Sequence, residues 1–208
     1  MTDQLPAWMS ALAPRLSEID PPFLQALGGL MGMANRMDDP LEARTRILIA
    51  MALDLAEGSD EGVASMSGTA RGFGATDAQV ADVVKVCCAS AALQRVASGA
   101  AGLGLIGVSG TPVDGLVARL EAEDPDFLAA AKGVIAAAFE PADDGLPVKD
   151  KHLVRLALDA AYGSAERVQA GAERCRAAGA SDAEVLSVLK MVFVNATLLR
   201  LASSSAAF

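Results

Sequence analysis

The chain has 208 residues, of which 52% are hydrophobic and only 4% aromatic, and it carries a net charge of −9 from 17 basic and 26 acidic side chains. Nucleic-acid binding needs a basic face, and the sequence has no basic cluster, so we expect neither nucleic acid nor an anionic membrane surface as a partner. The apolar residues are mostly Ala, Leu, Val and Met, a mixture that favours helices over strands.

The sequence predicts a cytoplasmic protein. The first residues, Met1–Gln4, lack the basic start of a signal peptide. The most apolar stretch, Val185–Leu201, is interrupted by Lys190, Asn195 and Arg200 and is no candidate for a spanning helix of about 18 uninterrupted apolar residues. Three cysteines do not form an even disulfide framework, which favours a reducing compartment.

Start and stop signals divide the first half of the chain into helices. Asp20-Pro21-Pro22-Phe23 places an N-cap before a proline at the first helical position. Asp39–Glu42 has the spacing of a capping box and predicts a helix that Gly58 ends. Ser59 is placed to cap the next helix, and Thr76–Gln79 is a second capping box that opens a long one.

The second half repeats the first. A shift of 105 positions places Leu41–Leu103 on Leu146–Phe208 without a gap, and about two dozen of some sixty aligned pairs are identical. Such self-similarity indicates two copies of one structural unit. We assign residues 1–104 to the first copy and 113–208 to the second, joined by the Gly- and Ser-rich stretch 105–112. The predicted fold is therefore all-α, with a tandem duplicated helical unit.

The last helix opens with the capping box Ser181–Glu184 and is apolar nearly all round. A helix without a polar face is expected to be buried on every side. We therefore predict that the two copies pack against each other and against other subunits.

A family resemblance rests on these features together. The segment Ala178–Val185 reads Ala-Gly-Ala-Ser-Asp-Ala-Glu-Val and follows a glycine-ended helix and a capped helix. Lys149–Val188, and more weakly Arg44–Val83, thus resembles the carboxymuconolactone decarboxylase family, which includes alkylhydroperoxidase D-like proteins. The resemblance implies an alkylhydroperoxidase D-like fold and a homo-oligomer, with a trimer favoured for a two-copy chain.

The chain departs from the redox members of that family. Those members carry a glutamate, then Cys-x-x-Cys, then a histidine four residues on. In the second copy the glutamate position holds His152, the cysteine positions Ser164 and Arg167, and the histidine position Gly171. The first copy has Ile47, Ser59, Gly62 and Met66 at these positions. The resemblance therefore implies a decarboxylase-like lyase, if the protein is an enzyme, rather than a thiol peroxidase.

Four residues of the second copy are candidates for a site. His152 is the only histidine and suits a general acid or base, and Glu166 is a second catalytic candidate. Ser164 and Arg167 are candidates for substrate binding. Structural alternatives are a surface or interface role for His152 and Arg167, helix capping for Ser164 and a dipole interaction for Glu166. One histidine cannot supply a His-based metal site, so we expect no metal and no cofactor.

Two functions remain open on this sequence. The first is a non-redox carboxymuconolactone decarboxylase-like protein that binds or converts a small organic acid or lactone in a pocket between helices. The second is a catalytically inactive oligomeric helper or structural protein; a peroxidase that uses Cys175 alone is the weakest candidate. Basic residues in the two long helices are predicted to pair with Asp54 and Asp159; they are Lys85, Arg95, Lys190 and Arg200.

Overall fold

The computed structural model describes residues 7–34, 38–102 and 112–204, and every regular element in these ranges is an α-helix. The first half contains α1 (Ala7–Ile19), α2 (Pro21–Ala34), α3 (Ala43–Glu57), α4 (Asp60–Gly72) and α5 (Asp77–Gly102). The second half contains α6 (Pro112–Glu123), α7 (Pro125–Phe139), α8 (Val148–Tyr162), α9 (Ala165–Ala177) and α10 (Asp182–Ser204). The predicted all-α class is confirmed.

The two halves have the same order of helices. Both ends of α3 and α8, and both ends of α4 and α9, are displaced by 105 positions. The starts of α2 and α7, Pro21 and Pro125, are displaced by 104. The single extra residue of the second half therefore falls between the start of α7 and the start of α8. The predicted tandem duplication is confirmed.

Local capping explains most of the helix starts. The Ser59 hydroxyl accepts a hydrogen bond from the Gly62 N–H at 3.2 Å, and the Ser164 hydroxyl accepts one from the Arg167 N–H at 3.4 Å. Such a bond satisfies one of the backbone donors that a helix start leaves free. The boxes predicted at residues 76–79 and 181–184 also form, with reciprocal bonds between Thr76 and Gln79 and between Ser181 and Glu184.

The capping box predicted at Asp39–Glu42 is wrong. The Asp39 carboxylate accepts a hydrogen bond from the Leu41 N–H at 2.9 Å, which closes a turn two residues along rather than a helix start. Helix α3 begins later, at Ala43, and its N-cap, Glu42, makes no side-chain capping bond. The Asp39 carboxylate also binds the Ser187 hydroxyl on α10, at 2.6 and 2.8 Å from its two oxygens. The Asp39 carboxylate thus serves a local turn and a tertiary contact instead of a helix cap.

The glycines that end α3 and α8 are required for different structural reasons. Gly58 ends α3 in the left-handed region, at φ 75°, where glycine is favoured because it has no Cβ. Its equivalent, Gly163, has an extended backbone, at φ −96° and ψ −173°. A Cβ at Gly163 would collide with the carbonyl oxygen of Asp159. Glycine is therefore required at 163 by close approach and not by its φ angle.

Helices α3 and α8 lie at the centre of one core that both halves share. Each packs against the other, and α5 and α10 pack against both. Leu48 and Ile49 on α3, and Leu153 and Leu156 on α8, have no exposed surface. Burial of each such side chain contributes roughly 1.5–3 kcal/mol. The prediction that the two copies pack against each other is confirmed.

Two hydrogen bonds join equivalent positions of the repeats. Thr45 Oγ1 donates to Asp150 Oδ2 at 3.2 Å, and the Tyr162 hydroxyl donates to Glu57 Oε1 at 2.6 Å. In each pair the residues are 105 positions apart. A residue that contacts its own equivalent lies close to a two-fold axis. Helices α3 and α8 therefore run parallel, with a pseudo-two-fold axis between them.

Helix α10 is not buried on every side within one chain. Val185 and Val188 lie in the core, but Leu186 is 53% exposed and Phe193 65% exposed. One face of α10 has no partner helix in the described ranges, so burial of that face by other subunits stays a prediction. Within these ranges, no helix is both long enough and apolar enough to cross a membrane.

Candidate functional site

The polar stretch that opens α8 is largely buried, although its sequence resembles a solvated helix surface. Lys151 is only 1% exposed, and its ammonium group lies 3.0 Å from Asp82 on α5 and 2.6 Å from the carbonyl oxygen of Glu140. Its neighbours are held by other helices. They form the pairs Lys149–Glu184 at 2.7 Å, with α10, and Asp150–Thr45 at 3.2 Å, with α3.

His152 follows this stretch and lies against α7. Its ring stacks on that of Phe139, with centroids 5.3 Å apart and an angle of 17° between the planes. The Nδ1 atom is buried and has no hydrogen-bond partner among the described residues. Burial lowers the pKa of His152, and the positive charges of Arg174 and Arg155 lower it further. The imidazole is therefore neutral at neutral pH, and one of its ring nitrogens is left to bind another group.

Asp159, two turns further along α8, is completely buried and pairs with three arginines. Its Oδ1 accepts a hydrogen bond from Arg167 at 2.6 Å, and its Oδ2 accepts one from Arg174 at 3.2 Å. Arg155 Nε lies 3.7 Å from the same Oδ2. One carboxylate therefore balances three guanidinium groups. We call these four residues the arginine cluster.

Arg155 links the arginine cluster to His152. Its guanidinium lies over the Phe139 ring, 5.4 Å from the centroid, so both Arg155 and His152 contact this ring. Burial lowers the pKa of Arg155, the nearby charges of Arg174 and Arg167 lower it further, and Asp159 opposes them. The Nε atoms of Arg155 and Arg174 are buried without a hydrogen-bond partner in the described part of the chain. Buried donors without acceptors are costly, and they mark a place where an acceptor is needed.

Of the four residues predicted for a site, the structure brings His152 and Arg167 to the arginine cluster and its surroundings. Ser164 and Glu166 are exposed at the start of α9. Ser164 is the N-cap of α9, so the helix-capping role given as its structural alternative is present. The Ser164 side chain and the backbone N–H of Glu166 lower the pKa of the Glu166 carboxyl, which is fully exposed. No contact joins Glu166 to His152 in the described ranges, and the catalytic assignment of Glu166 stays a prediction.

Sequence reasoning missed Phe139, Arg155 and Arg174, and it gave Asp159 the wrong partners. Lys85 pairs instead with Asp82 at 2.9 Å, and Arg200 lies 3.8 Å from Glu57. One signal could have found the cluster. Positions 155 and 159 on α8, and 167 and 174 on α9, follow helical spacing and place charges on one face of each helix.

The equivalent position in the first repeat has no arginines. Asp54 takes the place of Asp159, and its Oδ1 lies 3.5 Å from the Asn195 amide on α10. Burial raises the pKa of Asp54, although the Asn195 bond opposes this. A Cβ at Gly62, which stands where Arg167 stands in the second repeat, would lie 2.7 Å from the Asp54 carboxylate. The first repeat therefore has no space for a side chain at position 62, where the second repeat carries the guanidinium of Arg167.

Two of the three cysteine thiols are buried. Burial raises the pKa of Cys175 to about 11 and that of Cys87 to about 12. Cys88 is exposed, and all three cysteines are free. Because the thiolate is the nucleophilic form, the two buried thiols are inert near neutral pH.

A groove of about 480 Å³ lies on another face, between α2 and α10. Its walls are mainly apolar and include Leu30, Met33, Met191 and Phe193, with Lys190 and Asp38 among its polar residues. None of its lining residues belongs to the arginine cluster. The groove is continuous with the exposed face of α10.

Comparisons with known proteins agree with this architecture. The family model described as the carboxymuconolactone decarboxylase family matches residues 21–103 and again residues 125–207. A crystal structure described as a candidate gamma-carboxymuconolactone decarboxylase subunit from Burkholderia xenovorans is similar in fold, with a TM-score of 0.75 and 20% sequence identity. The alignment covers 98% of this chain and 90% of that one. No match was found among curated proteins. Because the two family matches together span most of the sequence, the chain belongs to the carboxymuconolactone decarboxylase family.

Proposed function

We propose that the second repeat binds a small organic acid or a lactone carboxylate at the arginine cluster, with His152 as the acid–base group. The supporting observation is the charge balance around Asp159, where one buried carboxylate faces three half-buried guanidiniums. Like charges this close to one another destabilise the folded chain unless an anion joins them. A carboxylate is a suitable anion because it can accept two parallel hydrogen bonds from an arginine.

The residues have separate roles in this proposal. Arg155 and Arg174 have buried Nε donors without an acceptor, so we assign them to the ligand carboxylate. Arg167 is held 2.6 Å from Asp159, and we assign it to shaping the site and supplying charge. Asp159 is a positioning residue, because it holds the arginines and touches no ligand itself. We propose that Ser164 and Glu166, at the start of α9, border the site.

A non-redox, decarboxylase-like lyase is the reaction class that fits these groups. Breaking the bond to a carboxylate releases CO₂ and leaves an electron pair on carbon, which needs a proton. His152 lies within the electrostatic influence of Arg174 and Arg155, and we assign it this proton transfer. Thiol peroxidase chemistry has no support, because two of the three cysteines are buried and protonated and none stands at a Cys-x-x-Cys spacing.

Titration calorimetry with benzoate and oxalate tests the proposal. Arg174→Gln should weaken binding at least ~10-fold, because hydrogen bonds to charged groups contribute about 1.5–3 kcal/mol. Arg176→Gln is the matched control, since Arg176 lies on the same helix but pairs with exposed Asp182 at 2.6 Å. Its affinity should stay within about two-fold of the wild type, because it loses only a surface pair. Absence of binding to the wild-type protein, or equal losses in both variants, would contradict the proposal.

The alternative is a catalytically inactive oligomeric helper. The observation that favours it is the exposed apolar surface along α10 and the groove beside it, which includes Met33 at 64% and Phe193 at 65% exposure. Surface of this kind marks an interaction site. We propose that it joins copies of this chain, with a trimer favoured, in a reducing, cytoplasmic compartment that keeps the cysteines free. A stable assembly that binds no carboxylate would favour this alternative.

A further inference from the structure

We propose that the site takes up one proton, on His152, each time it binds its anion. This inference rests on the proposed function, and it adds that the recognised species is an anion together with a proton. The imidazole and the guanidinium of Arg155, a member of the arginine cluster, contact the same aromatic ring, Phe139, and the inference starts from this shared contact.

The His152 ring is held in place, and its Nδ1 atom has no hydrogen-bond partner among the described residues. Stacking on Phe139 at 5.3 Å holds the ring plane, and Nδ1 is buried without a partner among the described residues. Arg155 lies over the same Phe139 ring. Both side chains contact one ring, and the charge of Arg155 acts on the imidazole, so we infer that a ligand held by Arg155 lies near the imidazole. When protonated, both ring nitrogens are donors, and a bound carboxylate is the acceptor that Nδ1 lacks.

The charges around His152 come from two helices. Arg155 and Asp159 lie on its own helix, and Arg174 and Arg167 are supplied by α9. Helix α7 supplies the neutral Phe139. The charged residues that precede His152 are each held elsewhere, by α10, α3 and α5; they are Lys149, Asp150 and Lys151. The arginine cluster therefore sets the charge that the imidazole experiences.

In the empty site the imidazole is kept neutral. Burial lowers the pKa of His152, and Arg174 and Arg155 lower it further. A bound carboxylate places negative charge beside those arginines. It therefore offsets their lowering of the His152 pKa and itself raises that pKa. Binding and protonation therefore favour each other, and by linkage each must strengthen the other to the same extent.

The size of the effect follows from the number of protons. If one proton is taken up, affinity rises about tenfold for each unit by which pH falls between the His152 pKa of the complex and that of the free protein. Above that window the imidazole stays neutral in both states, and affinity no longer depends on it.

A nuclear magnetic resonance titration of the histidine ring tests this directly, because the chain contains a single histidine. Untagged protein is titrated with and without saturating oxalate, which is fully ionised above pH 5.5. We expect the pKa of His152 to lie below its ordinary value in the free protein and to rise when oxalate binds. An unchanged pKa in the saturated complex overturns the inference while leaving the proposed function intact.

Calorimetry of the same complex gives a second readout. In bis-Tris and imidazole buffers, which differ in ionisation enthalpy, the wild type should show net uptake of protons on binding oxalate at pH 6.5. His152→Gln, which keeps a neutral hydrogen-bonding side chain, should bind with no proton uptake and with a flat pH profile. Uptake that persists in His152→Gln overturns the inference, and absence of oxalate and benzoate binding to the wild type overturns the proposed function.

Discussion

Asp54 and Asp159 occupy the same position in the two repeats but have opposite electrostatic surroundings. Asp159 is completely buried among three arginines, whereas the Asp54 carboxylate accepts a hydrogen bond from the neutral Asn195 amide at 3.5 Å. The difference comes from three neighbouring positions, where the second repeat has Arg155, Arg167 and Arg174 and the first has Ala50, Gly62 and Thr69. The two repeats thus share the carboxylate and differ in the residues that surround it.

Neutralising each aspartate should therefore have unequal effects on stability. Asp159→Asn leaves three arginines without a buried counter-charge and should lower the free energy of unfolding by about 3–5 kcal/mol. Asp54→Asn is the matched control, and it should change stability by less than about 1 kcal/mol because burial already favours the neutral form there. Urea denaturation followed by circular dichroism measures both. Equal losses would show that the arginines do not depend on Asp159.

The single histidine should contribute to stability in a pH-dependent way. Because the pKa of His152 is lowered by folding, the unfolded chain binds a proton first as pH falls below about 6.5. The free energy of unfolding should then decrease until pH passes below the folded-state pKa. His152→Gln should lack this decrease. Burial also raises the pKa values of Asp54 and Asp150, but these groups are present in both proteins, so the difference between the two stability curves gives the contribution of His152 alone. Parallel curves from pH 7.5 to 5 would contradict this prediction.

The turn before α9 should tolerate no side chain at 163. Gly163→Ala places a Cβ against the Asp159 carbonyl and should cost about 1–3 kcal/mol, as overpacking does elsewhere. Gly133→Ala, in the middle of α7 with open space around it, should instead stabilise the protein by roughly 0.5–1 kcal/mol. Thermal melts of the two variants make the comparison. Stabilisation by Gly163→Ala would mean that the close approach is absent.

The exposed apolar face of α10 should hold the assembly together. Light scattering with size exclusion is expected to give three times the 21.2 kDa chain mass for the wild type. Phe193→Asp should reduce that mass, because it places a charge in an apolar interface. Phe73→Asp is the control, as Phe73 is 57% exposed but does not line the α2–α10 groove. A monomeric wild type, or an unchanged mass for Phe193→Asp, would exclude this face as the interface.

Features fixed by neighbouring residues could be predicted from sequence. Capping by Ser59 and Ser164 and the left-handed Gly58 follow from local hydrogen bonds and backbone sterics. The capping box predicted at Asp39 is wrong, and a long-range contact contributes to this. The Asp39 carboxylate accepts a hydrogen bond from the hydroxyl of Ser187, 148 positions away. The exact limits of the two repeats stay a prediction, since residues 103–111 lie outside the described ranges.

The candidate site could be predicted only in part, because its burial depends on how helices pack. The sequence around Lys151 reads as a charged surface, and only the fold places Asp82 beside it at 3.0 Å. Arg174 lies 15 positions from Asp159, and no local rule connects them. Arg167 was identified because it occupies a family cysteine position, whereas Arg155 and Arg174 occupy none.

A crystal soaked with 4-bromobenzoate gives the most direct test that the second repeat holds an anion site. The bromine and the carboxylate are located independently, by anomalous scattering and by electron density. We predict the carboxylate beside Arg155 and Arg174 and the ring near His152, with the equivalent region at Asp54 empty. Density in the α2–α10 groove alone, or at neither place in a fully soaked crystal, would contradict the account.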